Sequence, residues 1–245
     1  MSRPYVALLV PDSHVPNEHK GAFSLLLKAG KLLRPDAVVL LGDFADCESL
    51  SAHEPTHTRG ARFFRDEVAK VRSRLNCLRS LGASKLHYVK GNHEWRLERY
   101  LASNAPALDG LVDLDTLLGL SDSGWEVTEY RETLKLGKLN ITHDTGSAGV
   151  NAHRTASRDY MGSAIIGHTH RMAYEVSGRP NGLPVLAAMF GWLGDPKKVD
   201  YVHQAKSAAW AHGFGVAYFD SNGIAHVQPV PIINGTCCVQ GRIIR

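Results

Sequence analysis

Five short apolar runs in this chain end not in bland turns but in side chains that carry lone pairs or protons. Tyr5 to Val10 leads into Asp12 and His14, Ala37 to Leu41 into Asp43 and Asp46, and Leu86 to Val89 into Gly91-Asn92-His93-Glu94. Leu139 to His143 closes on its own histidine, and Ala164 to Ile166 runs into His168 and His170. Between the first three runs lie helical patterns. One covers Phe23 to Leu33. In the other, starting at Phe64, Val68, Val71, Leu75, Leu78 and Leu81 recur at steps of three and four before Gly82 stops the helix. Strand, helix, strand, helix, strand requires crossover connections and a largely parallel sheet. In such sheets ligands bind beyond the carboxyl ends of the strands. The five runs therefore aim carboxylates, imidazoles and one amide at a common edge. Any one of these pieces would pass for an ordinary turn or helix cap; five in order point to a shared chemical centre.

The second half of the chain is richer in short strands. Trp125 to Tyr130 and Thr133 to Leu136 come before the Leu139 run, with Gly137-Lys138 as a tight turn. Met172 to Val176, Leu183 to Ala188, Val216 to Phe219 and Ala225 to Val230 continue the series, and Asn222-Gly223 marks a hairpin between the last two. Helices are expected over about 152–161 and 204–211, whereas 102–124 shows no clear pattern. Two β-rich halves with helices outside suggest two packed sheets in one domain, residues 1–245.

An apolar fraction of 44% is enough for a sizeable core. The net charge of +4 suits anionic substrates without by itself implying nucleic acid. Cys47, Cys77, Cys237 and Cys238 form no CxxC pair, which argues against a disulfide framework or zinc knuckle. With no signal-peptide pattern and no long apolar run, the expectation is a soluble, cytoplasmic chain without membrane partners.

The series "DSH…GD…GNHE…H…GHTH", spanning about residues 5 to 171, closely resembles the calcineurin-like metallophosphoesterase superfamily. The later "GWLG…W.HGFGVAYFD" region is similar to small phosphoesterases of bacteriophages and bacteria. The resemblance implies an α/β fold, a four-layer α/β/β/α sandwich of two mixed β-sheets flanked by helices, with two divalent metal ions. It implies that Asp12, His14 and His170 hold one ion, that Asn92, His143 and His168 hold the other, and that Asp43 bridges them. Oxygen and imidazole donors without thiolate suit Mn²⁺ foremost, with Fe, Zn²⁺, Ni²⁺ or Co²⁺ as alternatives. Two such ions bring about +4; Asp12, Asp43 and a bridging hydroxide leave roughly +1 to meet a phosphate. By the same resemblance the hydroxide attacks phosphorus, His93 serves the leaving oxygen as general acid, and Asp46 orients His93 and keeps it protonated.

There are departures from the family pattern. His143 is followed by Asp144 where glycine is usual, which leaves His153 as the fallback ligand. "GNHE" stands for the commoner "GNHD"; the glutamate form also occurs in phosphoprotein phosphatases, but the absence of an arginine after Asp46 argues against a protein phosphatase. Arg96 is either a contact for substrate phosphate or a solvated arginine at a helix start. His53 and His57 are candidate substrate contacts, and Cys47 a candidate oxidation point. Residues 59–79 carry seven Arg or Lys against two acids, either a track for a phosphate backbone or the solvated face of a helix. The expectation is a dinuclear phosphoesterase acting on phosphomonoesters or phosphodiesters, with nucleotide or nucleic acid among the candidate substrates. The alternatives are a nuclease and a non-catalytic binding module on the same fold.

Overall fold

The computed structural model describes residues 3–52, 63–180, 182–198 and 209–245. The first part follows the expected alternation: β1 Tyr5–Val10, α1 Lys20–Leu33, β2 Ala37–Leu41, α2 Phe64–Arg79 and β3 Lys85–Val89. Next come α3 Arg96–Asn104, the short α4 Leu114–Leu118 and β4 Trp125–Thr128. The remainder holds β5 Leu134–Leu136, β6 Leu139–Thr142, α5 Ala152–Asp159, β7 Ala164–Ile166, β8 Met172–Arg179 and β9 Gly182–Phe190. Last are β10 Gly213–Phe219, β11 Ala225–Pro231, β12 Cys237–Val239 and β13 Arg242–Ile244.

Two mixed sheets result, ordered β11-β10-β1-β2-β3-β4 and β5-β6-β7-β9-β8, with β12-β13 as a separate hairpin. They do not divide the chain into halves. β4 pairs parallel to β3, and the β10–β11 hairpin returns from the far end of the sequence to place Val216 opposite Leu8. The first sheet thus borrows three strands from the second half. Its face toward the second sheet contributes Ala7, Leu9, Val39, Leu41 and Val89, which pack with Ile141, Ile165, Ala188 and Phe190. Its other face packs under α1, α2 and α3 through Leu26, Leu75, Leu78 and Leu97. Ala152 and Ala156 of α5 cover the outside of the second sheet against Ile166 and Met189. Helices, sheet, sheet and helix are the four layers expected. Burying each Val, Leu, Ile, Met or Phe side chain among these contributes ~1.5–3 kcal/mol, and each alanine less.

The Gly137-Lys138 turn puts Leu136 opposite Leu139. The Asn222-Gly223 hairpin is wider than a two-residue turn: Asp220 N–H donates to Ile224 O, so five residues separate the paired Phe219 and Ala225. In 102–124, Asp113 caps α4 by accepting from Thr116 N–H at 2.7 Å. That helix is only five residues long, too short to show a period in sequence. Most of the helix expected over 204–211 lies outside the described residues.

What matters for function is direction. β1, β2 and β3 run parallel in one sheet, and β6 and β7 run parallel in the other. Their carboxyl ends bring all five polar motifs to one edge of the sandwich.

Candidate metal centre

The loops leaving these strands turn sharply. His14, Asp43, His168 and His170 have φ of 49, 48, 66 and 56°, in the left-handed region that side chains with a Cβ avoid at ~1–2 kcal/mol each. Gly42, at φ 91°, lets the chain pass the His143 ring; a Cβ there would sit 2.3 Å from its Nδ1.

Around Asp12, one carboxylate oxygen is anchored and the other is left over. Oδ1 accepts from His168 N–H at 3.1 Å, while Oδ2 is buried with no hydrogen bond among the described residues and lies 3.1 Å from His170 Nε2. His170 Nε2 is also 3.0 Å from His14 Nε2. Behind these rings stands an aromatic wall: His170 stacks on Trp192 at 4.8 Å and 12°, with Trp210 edge-on at 4.3 Å. Burial behind that wall outweighs the Asp12 carboxylate and holds the His170 pKa down at about 4.

Around Asp43 the pattern repeats. Oδ1 accepts from His93 N–H at 2.8 Å, and Oδ2 lies 3.2 Å from His143 Nε2. His143 Nε2 also meets Asn92 Oδ1 at 3.1 Å. The Leu41 carbonyl can only accept, so His143 Nδ1, 2.9 Å away, must be the donor, and Nε2 is the atom turned toward the centre. Burial opposes charge on this imidazole, but Asp43 and Asp12 outweigh it and push its pKa up to about 10. The ring of His168 lies 5.2 Å from that of His143.

Two donor groups therefore meet the geometric requirement for a cation: Asp12–His14–His170 and Asp43–His143–His168, each with its donor atoms within 4.8 Å of one another. The uncompensated Asp12 Oδ2 and the facing imidazole nitrogens are what a divalent ion would satisfy, and the nitrogen and oxygen donors fit the expected metals. A third grouping, His14–Asp43–His93, meets the same limit. His93, however, has both nitrogens engaged. Nδ1 donates to Asp46 Oδ1 at 2.6 Å, and Arg96 Nη2 approaches Nε2 at 3.0 Å. A nitrogen that accepts from a guanidinium has no lone pair left for an ion.

The expectation that Asp46 keeps His93 protonated is corrected in part. The hydrogen bond is present and the Asp46 carboxyl lies well below the usual range, since hydrogen bonds from His14 and His93 outweigh its burial. Yet burial, reinforced by the neighbouring His14 and Arg96 charges, draws the His93 pKa below that of free imidazole. Of the two readings of Arg96, the solvated one fails: it is 7% exposed, and Nη1 donates to the Asp46 carbonyl at 3.0 Å.

Glu94 has a role that the sequence did not disclose. Its buried carboxylate accepts from Asp43 N–H at 2.9 Å, Ala45 N–H at 2.8 Å, Gly91 N–H at 2.7 Å and the Tyr88 hydroxyl at 2.9 Å. It ties the loop after β2 to the loop after β3. Gly91 is needed for that contact rather than for turning, because a Cβ there would lie 2.2 Å from Asp43 Oδ1. Asn17 was also missed; its amide donates to Asp46 Oδ2 at 2.5 Å. The only advance signals were the acid after Asn-His and an asparagine three residues beyond His14.

Other candidates fall away from the centre. His153 faces Glu175 at 4.0 Å on the α5 side of the second sheet, so the fallback ligand is not brought to the cluster, whereas His143 is. Cys47 is buried, and burial with the Glu94, Glu67 and Asp46 charges pushes its thiol well up, which makes it a poor target for oxidation. In the basic segment, Arg74 is spent on Glu18 at 2.7 Å and stacks over Phe23 at 5.4 Å. Residues 59–62, His53 and His57 lie outside the described residues. No helix among the described residues is long and apolar enough to cross a membrane.

Residues 6–203 match the family model for calcineurin-like phosphoesterases. The chain belongs to that family. No curated protein sequence matches this calcineurin-like phosphoesterase significantly. Among solved structures, vacuolar protein sorting 29 from Cryptosporidium parvum is similar at 13% identity and TM-score 0.48, over 99% of this chain and 96% of that one. Vps29 from Chaetomium thermophilum is similar at 12% identity and TM-score 0.44, over 91% and 96%. A dimetal phosphatase from Danio rerio is similar at 14% identity and TM-score 0.46, over 89% and 93%.

Proposed function

We propose that the chain is a single-domain phosphoester hydrolase with a two-metal centre at this strand edge. Asp12, His14 and His170 would hold one ion, Asn92, His143 and His168 the other, and Asp43 would serve both. The observation that carries the reading is the pair of buried carboxylates, each with one oxygen on a backbone N–H and the other turned toward imidazole nitrogens. Bound divalent ions, with Mn²⁺ the leading candidate, would supply charge for the phosphoryl oxygens and lower the pKa of an attacking water.

The chain's own residues do the rest. Asp46 fixes the His93 ring through Nδ1, so Nε2 is the atom that faces the substrate. Arg96, now on that nitrogen, is placed to turn its guanidinium edge to an incoming phosphate and leave Nε2 free to carry a proton. His93 Nε2 then passes that proton to the leaving oxygen, help of ~10²–10⁴-fold for an alkoxide. Trp192, 2% exposed, keeps the Asp12 side dry and strengthens the field there.

The test is turnover by metal-loaded protein on phosphomonoesters, phosphodiesters and single- and double-stranded DNA. His93→Ala should retain its metal and lose ~10²-fold or more in kcat on an alkyl ester, with a smaller loss on a p-nitrophenyl ester. Equal turnover by variant and wild type would remove His93 as the acid. Metal binding without any turnover would leave a binding module on the same fold.

A further inference from the structure

Beside the centre, on the His143 and Asn92 side, lies a cluster that neither metal ligation nor His93 uses. Trp95, at the start of α3, packs on Tyr130 in the turn after β4, with ring centroids 5.5 Å apart. Arg99, one turn further along α3, lies 5.3 Å over the Trp95 ring. Arg131 lies 5.3 Å from the Trp95 centroid and 5.2 Å from that of Tyr130. The cluster adjoins the candidate ligands: the Tyr130 ring is 6.5 Å from that of His143, and Trp95 N–H donates to Gly91 O at 3.2 Å across the turn that carries Asn92.

Two exposed guanidinium groups thus share one indole, and neither has a carboxylate partner among the described residues. Two nearby acids are engaged elsewhere: Glu98 and Glu129 lie 3.7 and 2.8 Å from Lys90 Nζ. Asp144 accepts from Gly146 N–H at 2.8 Å through Oδ1, and it shares the Tyr130 neighbourhood with Arg131 without forming an ion pair with it among the described residues. A guanidinium held over an aromatic ring keeps N–H groups for other acceptors, in the fork that fits phosphate, although part of the Arg131 fork is directed to Tyr130. Two cations set around one indole raise the local positive potential that an anion meets. Arg131 is also held at φ 72°, in a turn closed by Glu132 N–H to Glu129 O at 3.0 Å.

We infer that Arg99 and Arg131, carried on Trp95 and Tyr130, form a second phosphate site for a substrate bearing a phosphate group beyond the one at the metal centre. The substrate class is a multiply phosphorylated ester, either a phosphodiester chain or a polyphosphate. This inference rests on the phosphoesterase reading above.

The experiment compares p-nitrophenyl phosphate, which has one phosphate, with a thymidine hexanucleotide and with inorganic tripolyphosphate. Variants are Arg99→Ala, Arg131→Gly, which suits the positive φ, their combination, and Arg131→Lys, which keeps charge but not the stack. Metal content and thermal midpoint report whether each is folded. In the double variant, kcat/KM for the hexanucleotide or tripolyphosphate, relative to p-nitrophenyl phosphate, should fall tenfold or more. The log–log salt slope for the hexanucleotide should flatten by about one per arginine removed. Arg131→Lys should fall between. A loss confined to the hexanucleotide identifies the chain as substrate, and one confined to tripolyphosphate identifies the polyphosphate. A ratio unchanged in the folded double variant overturns the site. If wild type turns over none of these, the phosphoesterase reading fails on its own. The arginine site is then judged by binding alone, using anisotropy of a labelled hexanucleotide with tripolyphosphate as competitor. A tenfold weaker affinity in the double variant supports it, and equal affinity rejects it.

Discussion

His143 and His170 are both buried, and each holds Nε2 close to an aspartate oxygen, 3.2 Å for His143 and 3.1 Å for His170. They titrate in opposite directions, to about 10 and about 4. The carboxylate distance does not explain this; the surroundings do. His143 is helped by Asp43, Asp12 and the Leu41 carbonyl on its far nitrogen. His170 faces a second imidazole, lies flat on Trp192, and its Nδ1 has no partner. One side of the centre is built to attract positive charge. On the other, His170 is already a neutral lone-pair donor, while the hydrogen bond to Asp46 outweighs burial and raises the pKa of His14 beside it. Within a single cluster, burial and field are set separately for the two candidate ion positions.

That contrast can be broken most completely at Asp43, the residue proposed to serve both positions. Asp43→Ala should lose both metals and all turnover, measured by elemental analysis after dialysis; two retained ions would refute the shared role. Next in size is the pair His143→Ala and His170→Ala, each expected to lose one metal and keep the other, and equal loss of both from either variant would collapse the distinction. A gentler probe is pH. His143, with its raised pKa, is an imidazolium in the apo-protein at neutral pH and must release a proton to bind an ion, whereas His170 is already unprotonated. From pH 6 to 8 the His143-side affinity should therefore rise up to ~10-fold per unit, and any rise on the His170 side should come from His14, whose pKa is also raised, and not from His170. Calorimetric proton release on metal titration measures the difference. The smallest expected effect is that of Glu94→Gln. Replacing one of the two acceptor oxygens that between them gather the N–H groups of Asp43, Ala45 and Gly91 should cost ~1–3 kcal/mol in stability. It should weaken metal ~10–100-fold, first on the Asp43 side.

Much of this could be read in the sequence because each strand is a compact apolar run and each motif follows its strand directly. Val39 and Leu41 face the other sheet while Leu40 faces the helices, so the run is apolar throughout, as doubly covered parallel strands are. The order of strands could not be read. Nothing local in Gly213–Phe219 says that it will pair with β1, since that contact spans nearly the whole chain. The candidate ligands were visible as residue types. The tie made by Glu94 and the anchoring of Arg96 were not, because they depend on backbone groups of a loop some fifty residues away that come within reach only once both loops are placed. The rim arginines were hidden for the same reason, with Arg99 and Arg131 coming from separate elements.

His14, Asp43, His168 and His170 hold their places with φ between 48 and 66°. Glycine or asparagine would be more comfortable at all four, and neither would bring an imidazole or a carboxylate. A descendant of this chain released from its chemistry would gain stability by drifting to glycine there first, well before its sheets or their packing changed. Comparing those four positions across relatives would then date the loss of a metal centre from backbone comfort alone, with no assay of any substrate.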